Sequence, residues 1–167
     1  GELQVMRARG KEDHRSGAED FFVLGTHQLD TMRYFAGDVD WATGHVTQDG
    51  RDVSVDDIRE GNEALGLMAG NGVSAYYAFR NGVSAHFESK PGHSAGSAAN
   101  NRYRTEIYGT EGIIALGSSE MYRHPSSLWP AGEDGKWERV VLEEWDNNPK
   151  GPAILNVETI AAELIDA

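Results

Sequence analysis

The 167-residue sequence contains no cysteine and no long hydrophobic run. The absence of cysteine excludes a disulfide-stapled scaffold, a thiol nucleophile and any thiolate metal site. No apolar stretch approaches the roughly 20 residues that a membrane-spanning helix requires, so we expect no membrane partner. The six histidines never occur in a His-x-His or His-x-x-x-His pattern, and we therefore expect no zinc site.

Basic residues are scarce relative to acidic ones. Fifteen lysines and arginines against 27 aspartates and glutamates give a net charge of −12. This charge repels a phosphate backbone, and the sequence has no obvious basic patch, so we expect no nucleic-acid partner. A chain of this length can bury roughly 70% of its unfolded surface without covalent cross-links. The composition therefore indicates one domain with an ordinary hydrophobic core.

The two ends of the sequence read as interior segments of a longer chain. The sequence begins Gly-Glu-Leu-Gln-Val, without an initiator methionine, and ends Glu-Leu-Ile-Asp-Ala within a helical pattern. Neither end carries a leader segment or a helix stop signal. We therefore expect the chain to be a piece of a larger protein.

The first third of the chain predicts a strand followed by a helix. Alternating apolar residues predict a strand over residues 2–9. Apolar residues recurring at three- and four-residue spacing predict an amphipathic helix over 20–36. Gly37 follows as the expected terminating glycine, since this residue most readily adopts the left-handed conformation after a helix. A second helix is predicted from Asn156 to the end of the chain.

The remainder of the sequence changes to the two-residue period of β-strands. The Asn-Gly pairs at residues 71–72 and 81–82 are typical of type I′ hairpin turns, so we expect an antiparallel meander around them. The small polar segment 90–101 is predicted to be a mobile loop that can close over a site. The predicted strands span residues 41–46, 64–70, 73–80, 83–88, 103–108, 113–116, 121–124 and 137–142.

The strongest candidate for chemistry is a histidine in the first helix. The run Gly-Thr-His-Gln-Leu-Asp at residues 25–30 places His27 on a rigid element, with Asp30 about one turn later. Imidazole is the side chain best suited to moving protons near neutral pH, and a carboxylate at this spacing can orient it. The alternatives are a buried, hydrogen-bonded core histidine and a solvated aspartate.

Three further side chains are candidates for binding or orienting a substrate. His14 lies in the polar loop after the first strand, and Arg80 could clamp hydroxyl or carboxylate groups. His86 shares the polar face of a predicted strand with Glu88. The ordinary alternative for all three is a solvated surface position, and the sequence leaves both interpretations open.

Two motifs give the chain a family resemblance. The run at residues 25–30, followed by a glycine at 37 and then a strand, resembles the C-terminal domain of the Gfo/Idh/MocA oxidoreductases, the glucose–fructose oxidoreductases and inositol dehydrogenases. The run Tyr-Gly-Thr-Glu-Gly-Ile at residues 108–113 is similar to a second recurrent feature of that domain, a hairpin between two strands. The order and spacing of these motifs extend the resemblance over nearly the whole chain.

The resemblance implies an α+β fold of two layers, with an open, mostly antiparallel β-sheet and helices packed on one face, as in dihydrodipicolinate-reductase-like C-terminal domains. It implies that residues 1–167 form a substrate-binding and oligomerisation domain. Its partners would be a carbohydrate-like substrate, an N-terminal Rossmann domain that is absent from this chain, and further copies bound through the sheet face. NAD or NADP would bind the longer protein, because this chain has no Gly-x-Gly-x-x-Gly fingerprint.

One position departs from the family pattern. By resemblance, His27 matches a catalytic or substrate-orienting histidine that many members pair with an aspartate four residues earlier. The residue at that position here is Val23, which can neither orient an imidazole nor exchange a proton. Glu19 and Asp20, at the start of the helix, are the candidate replacements for the missing acid.

Three functions remain compatible with the sequence. The first is the substrate domain of an NAD(P)-dependent oxidoreductase that acts on a sugar or cyclitol hydroxyl, and whose isolated fragment is inactive. The second is a noncatalytic binding or oligomerisation module that has lost turnover, which the valine at position 23 motivates. The third is an unrelated two-layer domain whose resemblance is accidental.

Overall fold

The computed structural model describes residues 1–91, 103–117, 120–125 and 136–141. Within these residues, nine strands form one sheet in the order β11-β10-β9-β8-β1-β7-β6-β2-β3, and β4 pairs with β5 in a separate ribbon. The strands are β1 (Leu3–Arg9), β2 (Val39–Gln48), β3 (Arg51–Asp52), β4 (Arg59–Glu60), β5 (Leu67–Met68), β6 (Gly72–Phe79), β7 (Ser84–Ser89), β8 (Arg104–Gly109), β9 (Ile113–Gly117), β10 (Met121–His124) and β11 (Glu138–Arg139).

The nine-stranded sheet is mixed but mostly antiparallel, as predicted. Only β1 and β7 run parallel to each other, and every other neighbouring pair in this sheet is antiparallel. Both neighbours of the first strand, β7 and β8, come from much later in the chain. The position of β1 in the middle of the sheet therefore depends on strand pairings that no local sequence pattern specifies.

The predicted helix 20–36 is one continuous helical segment in three parts. The parts are α1 (Ala18–Asp20), a π-helical turn (Phe21–Gly25) and α2 (Thr26–Ala36). Gly37 ends α2 with a φ of 79°, which confirms its predicted role as the terminating residue. A short 3₁₀ turn (Val55–Asp57) lies between β3 and β4.

The helical segment covers one face of the sheet. Met32 is buried in the same hydrophobic core as Met6 and Phe87 of the sheet. The rings of Phe21 and Phe87 meet edge to face with centroids 5.3 Å apart. A Cβ at Gly25 would lie 3.1 Å from the Phe87 ring, so a glycine permits this close approach of helix and sheet. Two layers, with the helices on one face, confirm the expected fold class.

The first predicted hairpin is wrong. Gly72 pairs with Thr47 of β2, so β6 extends the sheet from β2 and not from residues 64–70. The side chain of Asn71 donates to the Asp49 carboxylate at 2.7 Å and accepts from the Asp49 backbone amide at 2.9 Å. The left-handed conformation falls on Gly70, with a φ of 94°. The Asn-Gly pair therefore joins the start of β6 to the end of the distant strand β2 and does not form a local turn.

The second predicted hairpin is confirmed as a pairing but not as a turn type. Strands β6 and β7 are antiparallel, but only Gly82 of the connecting residues has a positive φ. Its amide donates to the Phe79 carbonyl at 3.0 Å, as in a type I turn followed by a left-handed glycine. A type I′ turn would require positive φ at two successive residues.

The later strands follow the prediction. β8 and β9 pair about residues 109–112, and the short β10 and β11 complete that side of the sheet. Most of the predicted loop 90–101 and the predicted helix from residue 156 lie outside the described residues. No helix in the described part of the chain combines the length and the apolar character needed to cross a membrane.

Candidate functional site

The helical segment presents His27 on its solvent side. The imidazole is exposed, and no described residue forms a hydrogen bond with it. The backbone carbonyl of His27 is engaged, since it accepts from the Thr31 hydroxyl at 2.9 Å. The alternative of a sealed core histidine is therefore wrong. A partner-free imidazole on a rigid helix is available to an incoming proton donor or acceptor.

A cavity of about 340 Å³ lies between α2 and strands β2 and β6, and His27 is not among its lining residues. Thr26 and Asp30, which lie one residue before and three residues after His27, both line it. The Asp30 side chain is exposed and has no hydrogen-bond partner among the described residues. The other lining residues are Leu29, Met32, Arg33, Val39, Tyr77 and Phe79.

Tyr77, which no sequence pattern singled out, adds a further polar group to this cavity. Its hydroxyl is not hydrogen-bonded to any described residue, and burial raises its pKa above 10. It therefore stays protonated at neutral pH and can both donate and accept a hydrogen bond. The cavity thus combines apolar walls with a few polar groups, which is typical of small-molecule sites.

Asp20 is not part of this accessible group. Its side chain is fully buried and accepts hydrogen bonds from the Ser89 hydroxyl at 2.6 Å, the Glu12 amide at 3.0 Å and the Lys11 amide at 3.2 Å. These bonds tie the loop after β1 and the end of β7 to the helix start. The prediction of Asp20 as a substrate-orienting residue is therefore wrong, because its donors are already supplied by the fold.

Glu19 is also fully buried and fully engaged. It accepts from Arg59 at 3.0 Å and from the amide and side chain of Asn62 at 3.1 and 2.6 Å. Burial alone would raise the pKa of Glu19, but the hydrogen bonds from Asn62 and Arg59 outweigh it and hold the pKa below 4.5. This carboxylate anchors the β4–β5 ribbon to the helix.

Neither buried acid replaces the carboxylate that is missing one turn before His27. Val23 lies in the π-helical turn and is half-buried, and its carbonyl accepts from the Thr26 hydroxyl at 3.3 Å. π-helical turns inside α-helices often occur at functional sites. Here the turn lies directly before the segment that carries His27, which leaves Asp30 as the nearest accessible acid along the helix.

His14 and Arg80 lie apart from this cavity. His14 is exposed in the loop after β1, with Nδ1 at 3.7 Å from Asp13. Arg80 is exposed at the β6–β7 turn, where its backbone amide donates to the Asp38 carbonyl at 3.3 Å. Neither side chain lines the cavity beside α2, and neither forms a hydrogen bond, ion pair or ring contact with His27.

His86 lies on the opposite side of the sheet. Its neighbours Ala85 and Phe87 are buried beneath the helical segment, so His86 points to the other face, which we call the open face. It lines a second cavity of about 420 Å³ there, and its ring lies 5.1 Å from that of Tyr76. The predicted substrate residues are thus divided between two separate surfaces.

A buried polar pair further fixes α2 on the sheet. Gln28, the residue after His27, is 4% exposed and accepts a hydrogen bond from Thr105 of β8. No local sequence pattern indicates this contact, because its two residues are 77 positions apart. Within the described ranges, no group of three or more histidine or acidic side chains is placed to hold a metal ion.

The fold matches several solved oxidoreductase structures. Levoglucosan dehydrogenase in its apo form is 17% identical with a TM-score of 0.57, over 85% of this chain and 41% of that chain. UDP-N-acetylglucosamine 3-dehydrogenase GnnA from Acidithiobacillus ferrooxidans is 11% identical with a TM-score of 0.52, over 85% and 40%. An NAD-binding oxidoreductase from Klebsiella pneumoniae is 15% identical with a TM-score of 0.53, over 84% and 40%.

The chain therefore spans about two fifths of the length of these proteins, and identities this low establish the fold alone. No curated protein sequence matches the chain significantly. The family model of the GFO/IDH/MocA C-terminal domain matches residues 4–115, which is more than half of the sequence and includes the helix with His27. The chain belongs to the family of GFO/IDH/MocA C-terminal domains.

Proposed function

We propose that this chain is the substrate-binding and assembly domain of an NAD(P)-dependent oxidoreductase that acts on a hydroxyl group of a sugar or cyclitol. The observation that carries the proposal is the exposed imidazole of His27, which has no partner among the described residues and lies on α2, the helix that lines a cavity through Thr26 and Asp30. Two neighbours with the same fold are named as sugar dehydrogenases, for levoglucosan and for UDP-N-acetylglucosamine.

The proposed reaction divides its work between this chain and another domain. When an alcohol is oxidised to a carbonyl, its carbon loses a hydride and its hydroxyl loses a proton. A nicotinamide held by the other domain would supply the hydride chemistry. His27 accepts the proton as a general base, a role typically worth about 10²–10⁴-fold in rate. In the reverse direction, the protonated imidazole returns the proton to the alkoxide.

The cofactor does not fit this chain alone. The sequence has no Gly-x-Gly-x-x-Gly turn between a strand and a helix, which is the element that holds a dinucleotide pyrophosphate. A neighbour of the same fold has been described in complex with NADH and levoglucosan. NAD or NADP would accordingly be held by a Rossmann domain of the longer protein, docked against the helix side of this chain.

Asp30 and Tyr77 would bind substrate in this arrangement. Both line the cavity beside α2 and neither is hydrogen-bonded to a described residue. A carboxylate and a phenol can receive and donate the hydrogen bonds that sugar hydroxyls require, while Leu29 and Phe79 contact the apolar face of the ring.

The proposal is tested by assaying the full-length parent protein with NAD and with NADP against a panel of sugars and cyclitols. We expect substrate-dependent formation of reduced cofactor, and we expect this 167-residue chain to be inactive alone. Absence of turnover with every member of the panel, in a parent that binds the cofactor, would contradict the assignment.

The second candidate is a noncatalytic binding or oligomerisation module. It is favoured by Val23 at the position of the expected acid and by aromatic side chains on the open face. Trp41 there is 53% exposed, and its ring lies 5.2 Å from Tyr76. Two open sheets packed face to face would bury these rings. Sedimentation tests this function: a dimer that Trp41→Ser dissociates supports it, and a monomer at all concentrations contradicts it.

A further inference from the structure

Three arginines occupy neighbouring positions on the open face of the sheet. Arg9 of β1 lies directly opposite Arg104 of β8 in the strand register. Arg7 is two residues before Arg9 on β1, and its own cross-strand partners are Glu106 and His86. Side chains in such positions lie about 5–8 Å apart at their Cβ atoms. The three guanidiniums are therefore concentrated on two adjacent strands of a chain with a net charge of −12.

This arrangement carries an electrostatic cost. Like charges directly opposite each other on neighbouring strands destabilise a sheet. Three carboxylates offset this repulsion, because Glu88 and Glu12 lie 2.9 and 3.7 Å from Arg9 and Glu106 contacts Arg104 at 2.8 Å. Arg9 and Arg104 are therefore both ion-paired.

Arg7 is the uncommitted member of the group. No described carboxylate lies within ion-pair distance of its guanidinium, which is held 5.3 Å from the centre of the Tyr108 ring. A cation–π contact of this kind holds the guanidinium near the ring without using its N–H groups, which remain available to donate. This geometry is suited to recognition of an anion with two oxygen atoms.

The arginines surround a cavity large enough for a small molecule. It measures about 420 Å³, and its charged lining consists of the three arginines with Glu88 and Glu106. Ser74 and His86 add further hydrogen-bonding groups to the lining. This volume falls within the usual range of ligand pockets, and the cavity lies on the opposite side of the sheet from His27.

We propose that this open-face cavity is a binding site for a small anion that bears carboxylate or phosphate groups, separate from the site beside α2. Arg7 supplies the free donors, and Arg9 and Arg104, each paired with a carboxylate, flank it. The site does not depend on the proposed oxidoreductase activity, since it uses neither His27 nor Asp30.

The test is calorimetric titration of the 167-residue chain with inorganic phosphate and with citrate, at constant ionic strength maintained by sodium chloride. We expect saturable binding of at least one anion, and the one that binds more tightly identifies the phosphate or the carboxylate class. Arg7→Gln should weaken this binding about tenfold or more, because it removes a charge-assisted, bidentate contact. Arg7→Lys, which retains the charge but not the fork, should weaken it less.

Two further variants separate the site from a general charge effect. Arg104→Gln should also weaken anion binding, and it serves in place of Arg7→Gln if that variant does not fold. Arg51→Gln removes an arginine that lies on β3 and outside the cavity lining, so it should leave the affinity unchanged. Equal losses in all variants would indicate a non-specific effect of charge and overturn the proposal.

A different outcome would assign the arginines to another role. Phosphate and citrate could fail to bind saturably while Arg7→Gln changes the sedimentation coefficient of the chain. The arginines would then serve a contact between copies of the chain, and the small-anion site would be wrong. Absence of saturable binding with unchanged sedimentation overturns it as well.

Discussion

The start and the middle of one helical segment use their polar residues in opposite ways. At its start, Glu19 and Asp20 are fully buried, and each accepts three hydrogen bonds. Seven to eleven residues later, His27 and Asp30 are exposed and have no side-chain partner among the described residues. The sequence presents all four as polar residues of one helix, and the structure separates anchoring groups from groups that are free to meet a ligand.

This difference shows how the fold can hold the helix in place without using the side chains of His27 and Asp30. The buried acids attach the helix to the loop after β1, to the end of β7 and to the β4–β5 ribbon. Because these contacts fix the helix, the backbone of His27 is held in place without any contact from its side chain. The free energy of unfolding and the catalytic turnover should therefore respond to substitutions at different residues.

The largest expected loss of stability comes from Asp20→Ala. The substitution leaves two backbone amides and the Ser89 hydroxyl without their acceptor in a buried site. Each such group costs about 1–3 kcal/mol, so the free energy of unfolding should fall by about 3–5 kcal/mol in urea denaturation. Asp30→Ala is the matched control and should change it by less than about 0.5 kcal/mol. Similar losses of unfolding free energy in both variants would show that the buried and the exposed aspartate contribute equally to stability.

The next largest effect is that of Glu19→Gln, and it should depend on pH. The pKa of Glu19 is lowered by folding from its ordinary value of 4.5. The ionised form therefore stabilises the fold fully above pH 4.5, and this contribution is lost as the pH falls through the lower pKa of the folded state. We expect a loss of about 1–2 kcal/mol at pH 7.

Urea denaturation from pH 7 to pH 3 measures this effect. The difference in unfolding free energy between the wild-type chain and Glu19→Gln should narrow as the pH falls below 4.5. The difference must be used, because Asp13 also loses a stabilising ion pair in acid: the hydrogen bond from Arg15 holds the pKa of Asp13 well below 3.8. A difference that stays constant with pH would contradict the anchoring role of the Glu19 charge.

The smallest expected effect on stability is that of His27→Ala. The exposed ring makes no hydrogen bond with the described residues, and alanine favours helix formation. The free energy of unfolding should change by less than about 0.5 kcal/mol. Thermal and urea denaturation of the 167-residue chain measure it, and a loss above 2 kcal/mol would show that the imidazole is a structural element.

The sequence predicted those parts of the fold that depend on local patterns. Alternation specified β1, β7 and β8, and Gly37 marked the end of α2. The Asn71-Gly72 pair misled the prediction because its side chain is bound by Asp49, 22 residues earlier. A local turn propensity cannot reveal that a distant strand, here β2, will compete for the same residues.

The candidate site was only partly predictable for the same reason. His27 and Asp30 could be identified from helical spacing. Asp20 was misassigned because the donors that saturate it come from residues 11, 12 and 89. The strand pattern placed His86 on a polar face, but it could not show that this face is opposite the helix. Tyr77 was missed because only the packing of α2 against β6 creates its cavity.

The most direct test of the account is the turnover of the full-length parent protein with His27→Ala, compared with His14→Ala. Both histidines are exposed in this domain, but His27 lies on α2, whose residues Thr26 and Asp30 line the cavity, and His14 lies in the loop after β1. We predict that His27→Ala lowers kcat by about 10²–10⁴-fold with intact folding and cofactor binding, and that His14→Ala leaves it unchanged. Wild-type turnover in the His27→Ala protein would contradict the proposed proton transfer.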